Sequence, residues 1–341
     1  MPNPPVGAVL ACDGTVGGEG YHHRAGGEHA EVIALQAAGE RARGATLYVT
    51  LEPCNHFGRT PPCTETIVAA GVRRVVAGCA DPNPATAGGG FDRLRASGIE
   101  VEVLYDGRAR RLIEPFAATI ASPLPYVGLK LATSLDGYVT SRPRAREWLT
   151  GDESRGFVRD LRSRFDAVMV GAGTVRADNP QLTVRPPHDR VRPYVRVVVC
   201  ETEPVAGDSR VFAQQDGYAK TILVAPAAKR DRFGELERIA DVLYVAEGGA
   251  NTPALDSVLR ALRDRGIFTI LCEGGPTLGS RLIAADLVHR FYWIVAPISL
   301  YGPQAVPALQ NITLANVPGF GYDGVERLGR DMLLTGTFER V

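Results

Sequence analysis

His29, Glu31, Cys54 and Cys63 follow one another in an order that suits metal-assisted hydrolysis. Catalytic zinc takes three protein ligands, drawn from His, Cys and carboxylates, and keeps a fourth position for water. His29 with Cys54 and Cys63 supplies that set. Glu31, two residues beyond His29 and not needed as a ligand, can move protons between the water and a leaving group. His29-Ala30-Glu31 opens a segment of helical spacing, Pro53-Cys54 closes a strand-like run, and Cys63 stands near a second helix start. A structural zinc, or cysteines that only fill a core, is the plainer alternative.

The motif H-x-E followed by P-C-x-x-C marks zinc-dependent deamination of nucleobases. Here His-x-Glu and Pro-Cys match, but eight residues separate the cysteines instead of two. The insert Asn55-His56-Phe57-Gly58-Arg59-Thr60-Pro61-Pro62 is polar, basic and stiffened by prolines. It suits an anionic substrate group such as phosphate, or equally a solvated surface loop.

A second constellation lies further on. Lys130 interrupts an apolar strand-like run, where a charge needs a partner or a task; a lysine snorkelling from an edge strand is the alternative. Gly171-Ala172-Gly173-Thr174 lets a ligand approach backbone, though it lacks the full G-x-G-x-x-G of dinucleotide sites. Glu273-Gly274-Gly275-Pro276-Thr277-Leu278 stands between strand and helix signals, where glycines expose amides to a phosphate. Together these sketch a cofactor or nucleotide cleft at the ends of several strands.

The elements that carry these groups alternate. In the first third the patterning predicts strands over 6–12 and onward to residue 22, a helix over 29–40, then strand, helix, strand, helix and strand at 45–51, 64–70, 72–77, 91–96 and 100–104. Ala121-Ser122-Pro123-Leu124-Pro125 reads as a linker. Beyond it, strands are expected at 126–132, 167–170, 196–200, 221–225, 242–245, 269–273 and 292–296, with helices at 152–164 and 254–263. Two α/β layer domains are expected.

Composition narrows the function classes. The 341 residues are 45% hydrophobic and 22% charged, with 38 basic and 38 acidic side chains and zero formal net charge. No global field draws the chain to nucleic acid or an anionic membrane, and no run approaches the ~20 apolar residues of a spanning helix. The start, Met-Pro-Asn-Pro-Pro, has neither a basic region nor an apolar signal core, so a soluble cytoplasmic protein is expected. Six cysteines are too sparse for a disulfide scaffold, and Cys12, Cys79, Cys200 and Cys272 read as buried small hydrophobes.

Several strings resemble the bacterial bifunctional deaminase/reductase family of riboflavin biosynthesis. They are Pro2-Asn3-Pro4-Pro5-Val6-Gly7-Ala8-Val9, His29-Ala30-Glu31, Thr50-Leu51-Glu52-Pro53-Cys54 through Cys63, and Asp81-Pro82-Asn83-Pro84. The second half carries the same resemblance in Ser134-Leu135-Asp136-Gly137, Trp148-Leu149-Thr150-Gly151, Asp178-Asn179-Pro180 and Leu182-Thr183-Val184-Arg185, together with the Glu273 string. It covers nearly the whole chain.

The resemblance implies an α/β protein of two domains. A cytidine-deaminase-like three-layer α/β/α domain would span 1–122 and a dihydrofolate-reductase-like α/β domain 123–341. The first would use Zn²⁺ to hydrolyse the 2-amino group of 2,5-diamino-6-ribosylamino-4(3H)-pyrimidinone 5′-phosphate, and the second would use NADPH to reduce the product's ribosyl group to ribityl. Carried over by position, His29, Cys54 and Cys63 bind zinc, Glu31 is the catalytic proton carrier, and Asn3, His22, His56 and Arg59 contact substrate. In the reductase half Lys130 is catalytic, and Trp148, Thr174, Asp178 and the loop Gly275, Pro276, Thr277, Leu278, Gly279, Ser280 and Arg281 hold the cofactor. Arg162, Leu182, Arg185 and Glu273 bind substrate, the arginines on its phosphate. A homo-oligomer built through the reductase half is expected, with no nucleic-acid or membrane partner.

Two departures from the family pattern stand out. A helix usually precedes the Pro-Asn-Pro segment, whereas this sequence begins at Met1-Pro2-Asn3; either the start is placed late or the deaminase domain lacks a packing helix. Arg146 stands where a small hydroxyl residue is common, and so alters the reductase pocket or reaches a phosphate. The competing readings are a paralogue acting on a related pyrimidine, a polynucleotide deaminase, and a reductase joined to a non-catalytic deaminase scaffold.

Overall fold

The computed structural model describes residues 3–24, 26–57, 61–84, 86–143, 145, 147–184, 193–214, 217–248, 252–311 and 319–339. Arg59, Arg146 and Arg185, named above, lie outside them. The chain divides into two compact units, Met1–Ser122 and Pro123–Val341.

The first unit runs β1 (Gly7–Cys12), β2 (Thr15–Tyr21), α1 (Ala30–Ala38), β3 (Thr46–Val49), α2 (Cys63–Ala69), β4 (Arg74–Ala77), α3 (Gly89–Ala96), β5 (Glu100–Val103) and α4 (Gly107–Ala121). Its sheet has the order β2-β1-β3-β4-β5, an antiparallel hairpin joined to three parallel strands. Asp13 and Gly14 make the hairpin turn at φ of 47° and 77°, the left-handed pair a tight turn requires. Period-two alternation sends Ala8, Leu10, Leu47, Val49, Val75 and Ala77 to one face, where Ala34 of α1, Ile67 of α2 and Leu94 of α3 cover them. A Cβ at Gly18 would lie 2.3 Å from Ala34 O, so α1 rests directly on the backbone of β2. On the other face α4 lays Ala109 and Ile113 against Leu51 and Cys79, completing three layers.

Helix α4 escaped the sequence pattern. Its basic run and the internal Pro115 masked an apolar stripe, although Asp106 caps it by accepting from Arg108 N and Ala109 N. Beside α4 this face is only partly covered: Val9, Tyr48, Val76, Leu104 and Leu112 border a groove of about 770 Å³. Cys12 is half-buried rather than buried, its Sγ donating to Arg41 O at 2.9 Å.

The second unit contains β6 (Tyr126–Ser134), β7 (Tyr138–Thr140), α5 (Asp152–Ser163), β8 (Ala167–Gly171), α6 (Ala172–Asp178), β9 (Val195–Val199), β10 (Ile222–Pro226) and β11 (Asp241–Val245). It continues with α7 (Leu255–Asp264), β12 (Thr269–Cys272), α8 (Pro276–Ala284), β13 (Arg290–Ala296), β14 (Val306–Pro307), β15 (Gly319–Leu328) and β16 (Asp331–Glu339). The main sheet has the order β11-β10-β9-β8-β12-β6-β13-β16-β15, parallel as far as β13 and antiparallel beyond; β7 and β14 pair separately. Parallel strands covered on both faces read as continuous apolar runs. Accordingly Ala167 and Met169 pack toward α7 and α8, while Val168 and Val170 pack into a second core with Phe212 and Phe233.

Because β6 lies between β12 and β13, Lys130 does not snorkel from an edge. The β15–β16 hairpin was missed for lack of an apolar pattern in the glycine-rich stretch Gly-Phe-Gly-Tyr-Asp-Gly. Among the described residues no helix is long and apolar enough to cross a membrane.

Candidate active sites

In the first unit two helix starts converge on one point. His29 is the N-terminal capping residue of α1, Cys63 is the first residue of α2, and Cys54 follows β3 on the turn between them. His29 Nδ1 lies 2.9 Å from Cys63 Sγ and 3.4 Å from Cys54 Sγ, and the two sulfurs are 3.3 Å apart. Three soft or borderline donors so close can bind one ion at bond lengths of ~2.1 Å to nitrogen and ~2.3 Å to sulfur. The thiols are driven apart in acidity. Cys54 is pulled down to about 4 by hydrogen bonds from Cys63 and His29, while Cys63 is pushed up by that same contact and by burial. The donor set fits zinc, which would bind both sulfurs as thiolates.

Glu31 sits in the first turn of α1, buried, against the Cys63 thiol; burial raises its carboxyl above the ordinary range. Asn3 and His22 stand beside this cluster. His22 Nδ1 donates to Glu28 O at 3.0 Å, which leaves Nε2 to accept from Asn3 Nδ2 at 3.1 Å. The His22 ring meets that of His29 edge-on at 5.5 Å. His56 is exposed on the insert loop, and Arg59 lies outside the described residues.

Sequence reasoning quoted Glu52 but assigned it nothing. Its buried carboxylate accepts backbone N–H groups from Asp81, Gly88, Gly90 and Phe91 at 3.0–3.3 Å. It thereby ties the Asp81-Pro82-Asn83-Pro84 loop and the start of α3 to the turn that presents Cys54. A carboxylate at the close of an apolar strand, two residues before a ligand, was the available signal.

In the second unit a cleft of about 940 Å³ opens at the ends of the parallel strands. Lys130, Arg162 and Glu273 meet in its floor. Arg162 grips Glu273 with Nε and Nη2, the latter at 2.8 Å, and donates Nη1 to Thr183 O at 2.9 Å. Burial works against the Glu273 charge, yet Arg162 and Lys130 hold its carboxyl below the ordinary range. Burial also lowers the Lys130 ammonium, with Glu273 opposing. Leu182 lines the wall at a φ of 53°, a strained left-handed conformation for leucine. Arg185 lies outside the described residues.

Two short loops frame the cofactor side. Gly171 and Gly275 cap α6 and α8 at the ends of the neighbouring strands β8 and β12, and Gly275 N donates to Thr174 Oγ1 at 3.1 Å. Thr174, Asp178, Gly275, Pro276, Thr277 and Leu278 all line the cleft, as does the exposed Trp148. Three residues of the expected loop do not. Gly279 packs against Leu129, Ser280 Oγ accepts from Gln310 N at 2.7 Å, and Arg281 pairs with Glu201 at 3.0 Å. Glu201 and Thr202 after β9, together with Arg176 and Arg210, are lining residues the sequence did not single out.

The RibD C-terminal domain matches residues 125–334, and the cytidine and deoxycytidylate deaminase zinc-binding region matches residues 1–79. The riboflavin biosynthesis protein RibD of Aquifex aeolicus (strain VF5) is 37% identical over 334 residues, covering 98% of this chain and 92% of its own. This chain belongs to the RibD family. RibD of Escherichia coli (strain K12) is similarly related, 38% identical over 98% of this chain and 93% of its own. Among solved structures, Acinetobacter baumannii RibD (form 1) superposes with a TM-score of 0.80 at 34% identity, over 100% of this chain and 94% of that one. A Thermotoga maritima structure does so with a TM-score of 0.80 at 32% identity, over 100% and 93%.

RibD proteins are bifunctional deaminase/reductases of riboflavin biosynthesis, and both parts are present here. The first is a zinc-binding, cytidine-deaminase-like domain. The second is the dihydrofolate-reductase-like reductase domain of an NADPH-using family.

Proposed function

We propose that residues 1–122 remove the 2-amino group of 2,5-diamino-6-ribosylamino-4(3H)-pyrimidinone 5′-phosphate and that residues 123–341 reduce the ribosyl group of the product to ribityl with NADPH. The Thermotoga maritima relative bears the matching name, diaminohydroxyphosphoribosylaminopyrimidine deaminase/5-amino-6-(5-phosphoribosylamino)uracil reductase. The observation that carries the reading is buried Glu31 against the His29, Cys54 and Cys63 donors, in a chain that also holds the Lys130–Arg162–Glu273 cleft.

His29, Cys54 and Cys63 would hold a zinc ion, which when bound would supply the Lewis acidity that activates water. Glu31, buried beside these donors, takes one proton and delivers one to the departing amine. His22 holds the Asn3 amide through Nδ2, placing that side chain beside the cluster for the pyrimidine. His56 and Arg59 attract the phosphate on the insert loop.

In the reductase domain the amides at the starts of α6 and α8 would hold the cofactor's phosphates, and the cleft-lining Thr174, Asp178 and Trp148 would contact it. Lys130 donates to the ribosyl oxygen, and Glu273, held by Arg162, fixes the lysine and the substrate. Leu182 closes the pocket against water. We further infer a cytoplasmic homo-oligomer.

The test is a one-pot assay of purified protein. Ammonia release is followed without NADPH, and NADPH oxidation after its addition. Release followed by oxidation supports the reading. Oxidation only when the deaminated intermediate is supplied replaces it with a reductase joined to a non-catalytic domain.

A further inference from the structure

The β15–β16 turn grips the wall of the reductase cleft from the far side of the sheet's edge. Asp331 is fully buried, and its Oδ2 accepts from Gly151 N at 2.7 Å and from Ser154 Oγ at 2.6 Å. Gly151 caps α5 but has no side chain to accept a hydrogen bond. The acceptor that a capping residue ordinarily provides is therefore brought by Asp331 from 180 residues further along. Its negative charge also faces the positive end of the helix dipole. Beside it Arg330 Nη2 donates to Leu149 O at 3.0 Å. Gly329 turns at φ of 62°, the left-handed conformation that favours glycine, beside the Glu153 carboxylate in the first turn of α5. The turn thus fastens residues 149 to 154 at three points.

Those residues lead straight into the cleft. Trp148, Leu149 and Thr150 line it, and α5 carries Arg155 and Arg162 along the same wall. Arg155 stacks over the Trp148 ring at 5.2 Å and donates to Thr150 O at 2.8 Å, while Arg162 grips Glu273. A shift at the start of α5 consequently moves Trp148 and Arg162 together.

We propose that Asp331 is a positioning residue of the reductase site: it fixes the Trp148–α5 wall against which the nicotinamide cofactor lies. This rests on the reading of the cleft as the NADPH site. Asp331 does not line the cleft and acts only through Gly151 and Ser154. Displacements near 1 Å in a positioned wall can cost about 100-fold in rate, so partial loss of one anchor is expected to cost about tenfold.

The test uses the full-length, zinc-loaded protein as wild type, D331A, D331N and S154A. It measures the Kd for NADPH, the KM for NADPH and kcat on the deaminated intermediate, and ammonia release. Emission from Trp148 is read in a W293F background, Trp293 being the other of the two tryptophans. The expected result for D331A is a kcat/KM for NADPH lowered about tenfold, a raised Kd for NADPH, a shifted Trp148 emission and unchanged ammonia release. D331N keeps an acceptor oxygen and recovers most of the affinity, and S154A falls between. Wild-type Kd and emission in D331A and S154A, whatever their melting temperatures, overturn the proposal. If D331A does not fold, D331N and S154A decide: wild-type Kd and emission in both overturn it, and a raised Kd with shifted emission in S154A sustains it. A wild-type protein that releases ammonia yet neither binds nor oxidises NADPH overturns the reading of the cleft itself, and the proposal with it.

Discussion

Glu52 Oε1 accepts the Gly90 N–H at 3.0 Å, and Gly90 comes so close to the strand end that a Cβ there would stand 1.9 Å from Pro53 O. The start of α3 and the turn presenting Cys54 are therefore one packed unit. Gly90→Ala forces them apart. It is expected to destabilise the first unit by about 1–3 kcal/mol and to lower zinc content. Thermal unfolding and metal analysis check this, with NADPH oxidation on supplied intermediate near wild type.

Glu31→Gln preserves shape and removes the proton carrier. Ammonia release should fall by about 10²–10⁴-fold while zinc stoichiometry and NADPH oxidation stay at wild-type levels. Loss of zinc together with activity would instead make Glu31 a structural neighbour of Cys63.

Chelation should separate the two activities. Stripping zinc is expected to abolish ammonia release and to leave reduction of the supplied intermediate intact, since the three soft donors all lie in the first unit. Restored release on adding zinc back completes the measurement.

Glu273→Gln leaves Arg162 charged and unpaired in a site where Arg162 and Glu273 side chains are 16% and 9% exposed. Breaking such a pair costs about 3–5 kcal/mol. A clear drop in the melting temperature of the second unit is expected, along with loss of NADPH oxidation and retention of ammonia release.

His289 gives the second unit an acid limit. Its Nδ1 accepts the Val127 N–H at 3.1 Å, which requires neutral imidazole, and burial lowers its pKa below the ordinary 6.5, with Asp286 opposing. As pH falls below that ordinary value the unfolded chain takes the proton first. The stability contribution is therefore complete above it and is lost as pH drops through the lower folded value. Melting curves at about pH 7.5 and about pH 5.5 should show a fall that shrinks in His289→Gln.

The deaminase centre was legible because its chemistry is local. His29-Ala30-Glu31 lies at one helix start and Pro53-Cys54 on the turn after β3, and only Cys63 had to be joined across the insert. Alternating strands likewise announced themselves through burial on one or both faces. Helix α4 did not, since Pro115 and the run from Arg108 to Arg111 hide its stripe. Nor did Asp331 or Glu52, whose partners lie remote in sequence and, apart from Ser154 Oγ on Asp331, are backbone N–H groups that carry no residue type to recognise. Gly279, Ser280 and Arg281 were expected from the resemblance alone. Beyond Leu278 the first two turn into the core, while Arg281 stays partly exposed and pairs with Glu201, which lines the cleft.

The strand order also sets a timetable for synthesis. β6 emerges early, yet its neighbours β12 and β13 lie more than a hundred residues later, and β13 in turn waits for β16. The first unit, whose parallel strands follow one another closely, can close while the ribosome is still translating. The second can pair β8 to β11 among themselves but must leave one edge of apolar β8 open until β12 arrives to bridge β8 to β6. Pairings this distant form slowly and leave sticky edges exposed meanwhile. The nascent reductase half is thus the part of this chain for which a chaperone matters most.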